Sequence, residues 1–459
     1  MLHTFVPTRR DFRALIRLGV PIVTAQVGLQ LMGVVSVVMV GHLSAADLAA
    51  VALGNTYVFG LAIFGLGTLW AMDPIISQAV GARDEHAIRL GMQRGVALAV
   101  IVGVTITMLC IPADAVLRLM RQPADVVPRA AGYVWASAPS ITALLVWGTL
   151  RQALQALRRT RAIVLSIVVG NLVNFALNWM LTLGHWGSPA RGAVGAGIAI
   201  HVSRWLMLAI VLFFARHELM PRLLPWHPTV LARGPLARTL RIGVPIGIQS
   251  SIEYTTFAVI SLLAGWFGAD ALAGHQVAIN LASFVYMVPL GIGSSAAVLV
   301  GHAIGEGDMP HARRVAASAL AFGVGFMALC GAAMITIPRV FAVAYTSVPS
   351  VVSIAVTLMP IAGVFQIFDG AQVVSAGVLR GAGDTRTPML VNVLGFWLIG
   401  MPTSLVLGFA LHRGVVGLWW GFVVGLVVIS TLLVALVRVR LGGAIERVQV
   451  ETGVSTAAP

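Results

Sequence analysis

The sequence predicts an all-α integral membrane protein with twelve transmembrane helices in two six-helix lobes. Three observations predict this fold: the composition, the number of long apolar runs, and a repeat between the two halves of the chain. Of 459 residues, 58% are hydrophobic and 10% are charged, and the mean hydropathy is +0.94. Because soluble domains carry about 25% charged residues, the composition disfavours a cytosolic enzyme, a disordered protein and a nucleic-acid-binding protein.

Twelve apolar runs are each long enough to cross the ~30 Å hydrocarbon core of a bilayer, which takes about 20 helical residues. The predicted spans are residues 15–40, 49–79, 88–111, 127–150, 162–183, 193–215, 240–264, 273–300, 313–337, 350–378, 388–411 and 415–437. The widest break between them, residues 216–238, is rich in Pro and Arg, as in a linker. We therefore predict an N-terminal lobe (12–216), a cytoplasmic linker (217–239), a C-terminal lobe (240–440) and a cytoplasmic tail (441–459).

The arginines indicate how the chain is oriented in the membrane, and the cysteines do not indicate a metal or cofactor site. All 30 cationic side chains are Arg, and they give a formal net charge of +14. They lie singly in short loops, which argues against a nucleic-acid partner, and most fall in segments that this topology places in the cytoplasm. We expect both termini to be cytoplasmic and the opening residues to be a lead-in rather than a signal peptide. No Cys/His cluster has metal-ligand spacing, so we predict no metal site and no cofactor.

The two halves repeat at an offset of 224 residues. The stretch Arg17–Ile22 (RLGVPI) aligns with Arg241–Ile246 (RIGVPI), and Gly81 and Asp84 align with Gly305 and Asp308. The repeat places Pro21 on Pro245, and we predict these as the favoured hinge prolines among those in the spans. Two parallel repeats related by a pseudo-two-fold axis along the membrane normal are typical of secondary transporters.

Two acidic residues lie near the middle of predicted spans in the second lobe. Glu253 is about 20 Å from Leu240, and Asp369 about 15 Å from Leu379, at ~1.5 Å per helical residue. An intramembrane carboxylate is by default a functional-site hypothesis; the alternative is a pair of structural carboxyl groups that tie helices together. The other candidate residues of this lobe are polar or aromatic and follow helical spacing: Gln249, Thr256, Gln276, Asn280, Tyr286, Gln366 and Gln372.

The first lobe has polar residues but no acid at mid-membrane depth. Asn171, Asn174 and Asn178 form its polar stripe. Asp73 lies one to two turns from the cytoplasmic end, where it is either functional or bonded to local groups. His201 and Arg204 share one span, and for them we predict a structural role in the lobe interior or snorkelling toward the interface.

Five stretches resemble the multidrug and toxic compound extrusion (MATE) transporters, and the likeness covers nearly the whole chain. Each stretch is weak alone, but their order and spacing along two repeats are specific. They are Gly41–Ala49 (GHLSAADLA), Gln78–Ala82 (QAVGA), Leu150–Leu157 (LRQALQAL), Ala264–Asn280 (AGWFGADALAGHQVAIN) and Ala376–Asp384 (AGVLRGAGD).

The resemblance implies a secondary multidrug antiporter that exports organic cations or other amphiphiles in exchange for inward H+ or Na+. Glu253 and Asp369 match acidic residues of helices seven and ten in the family, and Tyr286 matches an aromatic position near them. Asn174 and Asn178 match first-lobe asparagines. The chain departs from many prokaryotic members at Ser36, where they carry a helix-one aspartate. This departure, with Asp73 placed five residues before Gln78, resembles the eukaryotic-type pattern and implies proton coupling through the second lobe.

Several alternatives stay open at this point. The same fold could be sodium-coupled, although the sequence does not show whether backbone carbonyls and Asn280 supply enough oxygen ligands. A lipid-linked saccharide flippase is disfavoured because Arg204 is the single candidate cation for its cavity. A membrane enzyme lacks a catalytic cluster, and a channel lacks a filter-like loop. We therefore expect no enzyme, a monomer in the inner membrane, and small-molecule substrates, a coupling ion and lipid as partners.

Overall fold

The computed structural model describes residues 8–450, in which the regular secondary structure is helical and no β-strand occurs. Within residues 8–450, eleven helices are long and apolar enough to cross a bilayer, and a bent helix pair counted as one span makes a twelfth. The predicted all-α fold class with twelve spans is therefore confirmed. The spans are α1 (Arg9–Gly41), α2 (Ala45–Gly81), α3 (Glu85–Leu109), α4 (Val127–Ser137 with Ser140–Ala156), α5 (Arg161–Thr182), α6 (Gly192–Phe214), α7 (Arg233–Gly265), α8 (Ala269–Gly305), α9 (Met309–Thr336), α10 (Pro349–Gly381), α11 (Arg386–Ala410) and α12 (Gly414–Gly442).

The two halves repeat in their connections as well as in their spans. A short helix, Ala113–Leu119, joins α3 to α4, and a second one, Pro338–Tyr345, joins α9 to α10. The same repeat appears in the helix caps, because the Asp84 and Asp308 carboxylates each accept a 2.9 Å hydrogen bond from a backbone N–H in the first turn of α3 and α9. A capping Asp satisfies a backbone donor that the helix itself leaves unpaired. The sequence repeat thus recurs as repeated local structure.

The loop between α6 and α7 is more helical than a linker requires. It contains the helix Arg216–Leu223 and the 3₁₀-helix Pro228–Leu231, and α7 already begins at Arg233. Gln93 on α3 holds the turn between these two elements, since its amide donates to the carbonyl oxygens of Leu223 and Pro225. Most of the predicted linker, residues 217–239, is therefore ordered helix.

Several spans depart from a straight α-helix. The two parts of α4 meet at an angle of 45° around Pro139, and α2 is interrupted between Leu69 and Met72, just before Pro74. π-Helical turns occupy Asn178–Thr182 in α5 and Val393–Gly400 in α11. Pro21 and Pro245 lie inside continuous helices. Their hinge role stays a prediction.

The chain folds into two compact units. Unit 1 comprises the described residues through Val23, Asp73–Arg83 and Ile248–Val448. Unit 2 comprises Thr24–Met72, Asp84–Gly247 and residues 449–450 of the described chain. These boundaries lie at other residues than those of the two predicted lobes, whose limits stay a prediction. Unit 1 therefore combines α8 to α12 and most of α7 with the first part of α1 and the last part of α2.

Close helix packing in unit 1 depends on glycine. A Cβ atom added at Gly377 of α10 would overlap the backbone of Gly293 on α8, and one added at Gly381 would overlap the backbone of Ala297. Small residues at such crossings let membrane helices approach closely and gain van der Waals contact. This close approach brings the polar residues of α8 and α10 near each other.

Candidate functional site

A carboxylate cluster forms in unit 1 from three helices. Glu253 lies on α7, Tyr286 on α8, and Asp369 and Gln372 on α10. The Gln372 amide donates to Glu253 Oε1 over 3.3 Å, and the Tyr286 hydroxyl donates a second hydrogen bond to the Glu253 carboxylate. Asp369 lies close enough for its charge to act on both Glu253 and Tyr286. The two acids predicted from the sequence thus share one site with two neutral partners.

The members of this cluster differ in exposure. Asp369 is 3% exposed and Gln372 is fully buried, whereas Glu253 and Tyr286 are half-buried. Glu253 is therefore the more accessible of the two carboxylates. A buried carboxylate beside a second one is costly unless a proton, a cation or hydrogen-bond donors compensate it.

Two amide oxygens near these acids lack partners. The Gln366 amide donates to the Ala282 carbonyl oxygen over 3.3 Å, but Gln366 Oε1 and Gln372 Oε1 are buried without a hydrogen bond from any residue in 8–450. A buried acceptor without a donor costs about 1–3 kcal/mol. A protonated carboxyl group or a bound cation would supply the missing partner. The site thus has spare oxygen acceptors beside its acids.

Three other predicted residues are not joined to this cluster by hydrogen bonds. Gln249, one turn before Glu253, is half-buried, and Gln276 and Asn280 on α8 are exposed. Within the described chain none of the three forms a side-chain hydrogen bond to the carboxylates. Gln276 and Asn280 therefore lie on an exposed face of α8. Tyr286, on the same helix, faces Glu253.

Asp73 belongs to an ion pair that the sequence did not reveal. Its Oδ2 lies 3.3 Å from Arg380 Nε, and both side chains are buried, at 5% and 9% exposure. Arg380 looks like a loop charge in the sequence, yet the structure places it in the last turn of α10. Its charge also acts on Tyr286. Asp73 is therefore neither isolated nor satisfied by local groups alone. Arg380 interacts electrostatically both with Asp73 and with Tyr286 of the carboxylate cluster.

The first-lobe residues form a neutral cluster in unit 2. The Asn178 amide donates to Asn174 Oδ1 over 3.2 Å and to Ser36 Oγ over 3.4 Å, and Thr182 Oγ1 donates to Asn178 Oδ1 over 3.1 Å. All four side chains are at most 1% exposed. Sequence reasoning found three of them and missed Thr182, although it continues the same i, i+4 spacing. Since none is ionisable near neutral pH, this cluster can hydrogen-bond a solute but cannot exchange a proton.

Comparisons with known proteins place the chain among membrane transporters. The MatE family model matches it twice, at residues 21–180 and 245–406, so the two matches begin 224 residues apart (245 − 21), at the offset of the internal repeat. The multidrug resistance protein NorM of Vibrio vulnificus is 31% identical over 426 residues, covering 91% of this chain and 93% of the relative. NorM of Aliivibrio fischeri is 33% identical over 432 residues, covering 93% and 94%.

Solved structures agree on the fold. The crystal structure of a eukaryotic MATE transporter aligns with a TM-score of 0.85 and 23% identity, covering 95% of this chain and 98% of that one. An outward-facing multidrug resistance MATE transporter aligns with a TM-score of 0.84 and 19% identity, covering 94% and 96%. With twelve spans, a twofold internal repeat and a family match over both halves, the chain belongs to the MatE family and has the fold of MATE transporters.

Proposed function

We propose that this protein is a multidrug efflux antiporter that exports organic cations or other amphiphiles in exchange for inward protons. The relatives named as multidrug resistance proteins, which match along nearly their whole length, support a transporter rather than an enzyme. The observation that carries the proposal is the pair of acids Glu253 and Asp369, which lie in neighbouring spans and act on each other electrostatically.

The mechanism rests on competition between a proton and a cationic substrate for one site. Burial and a neighbouring carboxylate both favour the neutral form of a carboxyl group, so a buried pair binds either protons or a cation. A cation bound near half-buried Glu253 is released when protons from outside neutralise the pair. The protonated protein then returns to the inward-facing state and releases the protons into the cytoplasm. Exchange is obligatory if the deprotonated, empty pair prevents this return.

Two neutral partners shape this competition. Gln372 and Tyr286 both donate to the Glu253 carboxylate, which stabilises its charged form and holds its position in the absence of substrate. Protonation of Glu253 removes one acceptor from this arrangement and weakens both bonds, because hydrogen bonds to a charged group are the stronger ones. Protonation of Glu253 thus changes the hydrogen bonds that link α7 to α8 and α10, the helices that carry Tyr286 and Gln372.

Sodium coupling is the second candidate. Na+ prefers oxygen ligands, and the site offers two carboxylates with the unpaired oxygens Gln366 Oε1 and Gln372 Oε1. Exposed Asn280, a further candidate ligand from the sequence, has no hydrogen bond to the cluster. The lipid-linked saccharide flippase is weaker, since the two acids of the carboxylate cluster would repel a pyrophosphate group. We further propose a multi-pass inner-membrane location with both termini cytoplasmic, a monomer, and no resident cofactor.

The test is efflux of a cationic dye from proteoliposomes in sodium-free buffer, driven by an inward proton gradient. We expect Glu253→Gln and Asp369→Asn to abolish gradient-driven transport. Two isosteric changes at exposed acids serve as controls and should transport normally: Asp270→Asn at the start of α8 and Glu306→Gln just after its end. Transport that requires Na+ would refute proton coupling but retain the site. Normal transport by Glu253→Gln and Asp369→Asn would refute the site.

A further inference from the structure

Arg204 is a cation at mid-membrane depth in unit 2, whereas the carboxylate cluster belongs to unit 1. It lies on α6, about 18 Å from Gly192 and about 15 Å from Phe214 at ~1.5 Å per residue. A charged side chain at this depth is costly and usually has a counter-ion or a ligand. Arg204 contacts Ser140, which lies at the bend of α4, so it is held at this depth and does not snorkel to the interface.

The hydrogen bonds of Arg204 leave most of its donors unused. Its Nη1 donates to Ser140 Oγ over 3.1 Å, and that hydroxyl in turn donates to the Ser137 carbonyl oxygen over 2.6 Å. A guanidinium has five N–H donors, so four of them have no acceptor among residues 8–450. The titratable groups whose charge interacts with Arg204 are Tyr133 and His201. Neither supplies a negative charge near neutral pH.

Two neighbouring groups are compatible with an anion beside Arg204. His201, one turn before Arg204, has a buried Nδ1 without a hydrogen-bond partner in the described chain. The second part of α4 begins at Ser140, and the beginning of a helix carries a partial positive charge. A guanidinium, an unpaired imidazole nitrogen and a helix start therefore meet without a counter-charge, an arrangement that suits an anion.

We propose that Arg204, held in place by Ser140 and with His201 beside it, binds the oxyanion of an anionic amphiphile such as a medium-chain carboxylate. Arginine pairs with carboxylates through two parallel hydrogen bonds, and its free donors allow this geometry. Ile200 and Leu208 lie one turn before and one turn after Arg204 on the same face of α6. Both are buried and apolar, so the surroundings of Arg204 favour an anion that carries a hydrocarbon part. A strongly hydrated inorganic anion suits a site at this depth less well. The site does not depend on the function proposed for Glu253 and Asp369.

The test uses 11-(dansylamino)undecanoic acid as probe, with energy transfer from protein tryptophan to dansyl in detergent micelles. We expect saturable binding to the wild-type protein that decanoate displaces and decan-1-ol does not. Arg204→Gln should weaken binding at least about tenfold, which corresponds to 1.4 kcal/mol, and Arg204→Lys should weaken it less. Arg191→Gln, which changes an exposed arginine at the start of the same helix, is the matched control and should bind as the wild type does.

Two results would overturn the proposal. The first is probe binding by Arg204→Gln as tight as that of the wild type. The second is displacement of the probe from the wild-type protein by decan-1-ol as effectively as by decanoate, a comparison that needs no variant and so holds even if Arg204→Gln does not fold. Retained cationic-dye efflux by Arg204→Gln would show that the variant is folded and that this site is separate from the carboxylate site.

Discussion

The buried pair of Asp73 and Arg380 gives the sharpest stability prediction. The perturbation is Asp73→Asn, which keeps the shape of the side chain and removes its charge. Because the two side chains are only 5% and 9% exposed, the Arg380 guanidinium would stay buried without its counter-charge. Breaking a buried ion pair by removing one partner costs about 3–5 kcal/mol. We expect the free energy of unfolding to fall by that amount.

The assay is equilibrium unfolding by sodium dodecyl sulfate in mixed micelles, followed by tryptophan fluorescence. Arg380→Gln and the double variant complete a cycle, and we expect the double variant to lose less stability than the sum of the single variants by about 2 kcal/mol. Additive losses, or an Asp73→Asn protein within about 0.5 kcal/mol of the wild type, as for an ordinary surface change, would refute the reasoning.

An exposed ion pair provides the control. Asp114 and Arg118 lie in a connecting helix, are 35% and 55% exposed, and form a 2.7 Å hydrogen bond, so Asp114→Asn should leave stability unchanged within error. The hydrogen bond from Arg118 lowers the pKa of the Asp114 carboxyl below its ordinary value of 3.8. A lowered folded-state pKa means that any stabilisation is present above 3.8 and is lost only as the pH falls through the folded value. At pH 7 the control therefore tests the charged pair.

Three further predictions concern packing and the two polar clusters. Gly377→Ala should cost about 1–3 kcal/mol of unfolding free energy by overpacking against α8, whereas Gly325→Ala, which meets open space, should be neutral or slightly stabilising in the same assay. Asn178→Ala should cost about 1–3 kcal/mol, because it leaves buried partners unpaired, and its efflux should remain proton-driven in the dye assay. Tyr286→Phe should lower the rate of proton-driven efflux at saturating dye by removing a hydrogen bond to the carboxylate site, while Tyr345→Phe in a connecting helix should not.

The twelve spans were predictable because an apolar run of bilayer length has one dominant solution, a helix. The sequence repeat also predicted equivalent local structure, since Asp84 and Asp308, 224 residues apart, cap equivalent helices. The meeting of Glu253 with Asp369 followed from their depth. The depth of a residue in the membrane follows from the number of residues between it and the end of its span, which can be read from the sequence.

What the sequence could not supply is the rotation of each helix about its axis relative to its neighbours. Gln276 and Asn280 share a helix with Tyr286 and look equally suited to the site, yet they lie on an exposed face of α8. Arg380 follows an apolar span and precedes a glycine-rich turn, so it looks like a solvated loop charge. Its burial against Asp73 depends on the packing of α2 and α10, which no local pattern encodes.

The most direct test of the central claim is proton release on substrate binding. Tetraphenylphosphonium is added to the detergent-solubilised protein in weakly buffered, sodium-free solution, and the pH change is followed with a dye. If one carboxylate pair binds either protons or a cation, binding releases protons from the wild-type protein, and Glu253→Gln with Asp369→Asn removes the release. Binding without proton release, or release that persists in this double variant, would contradict the account.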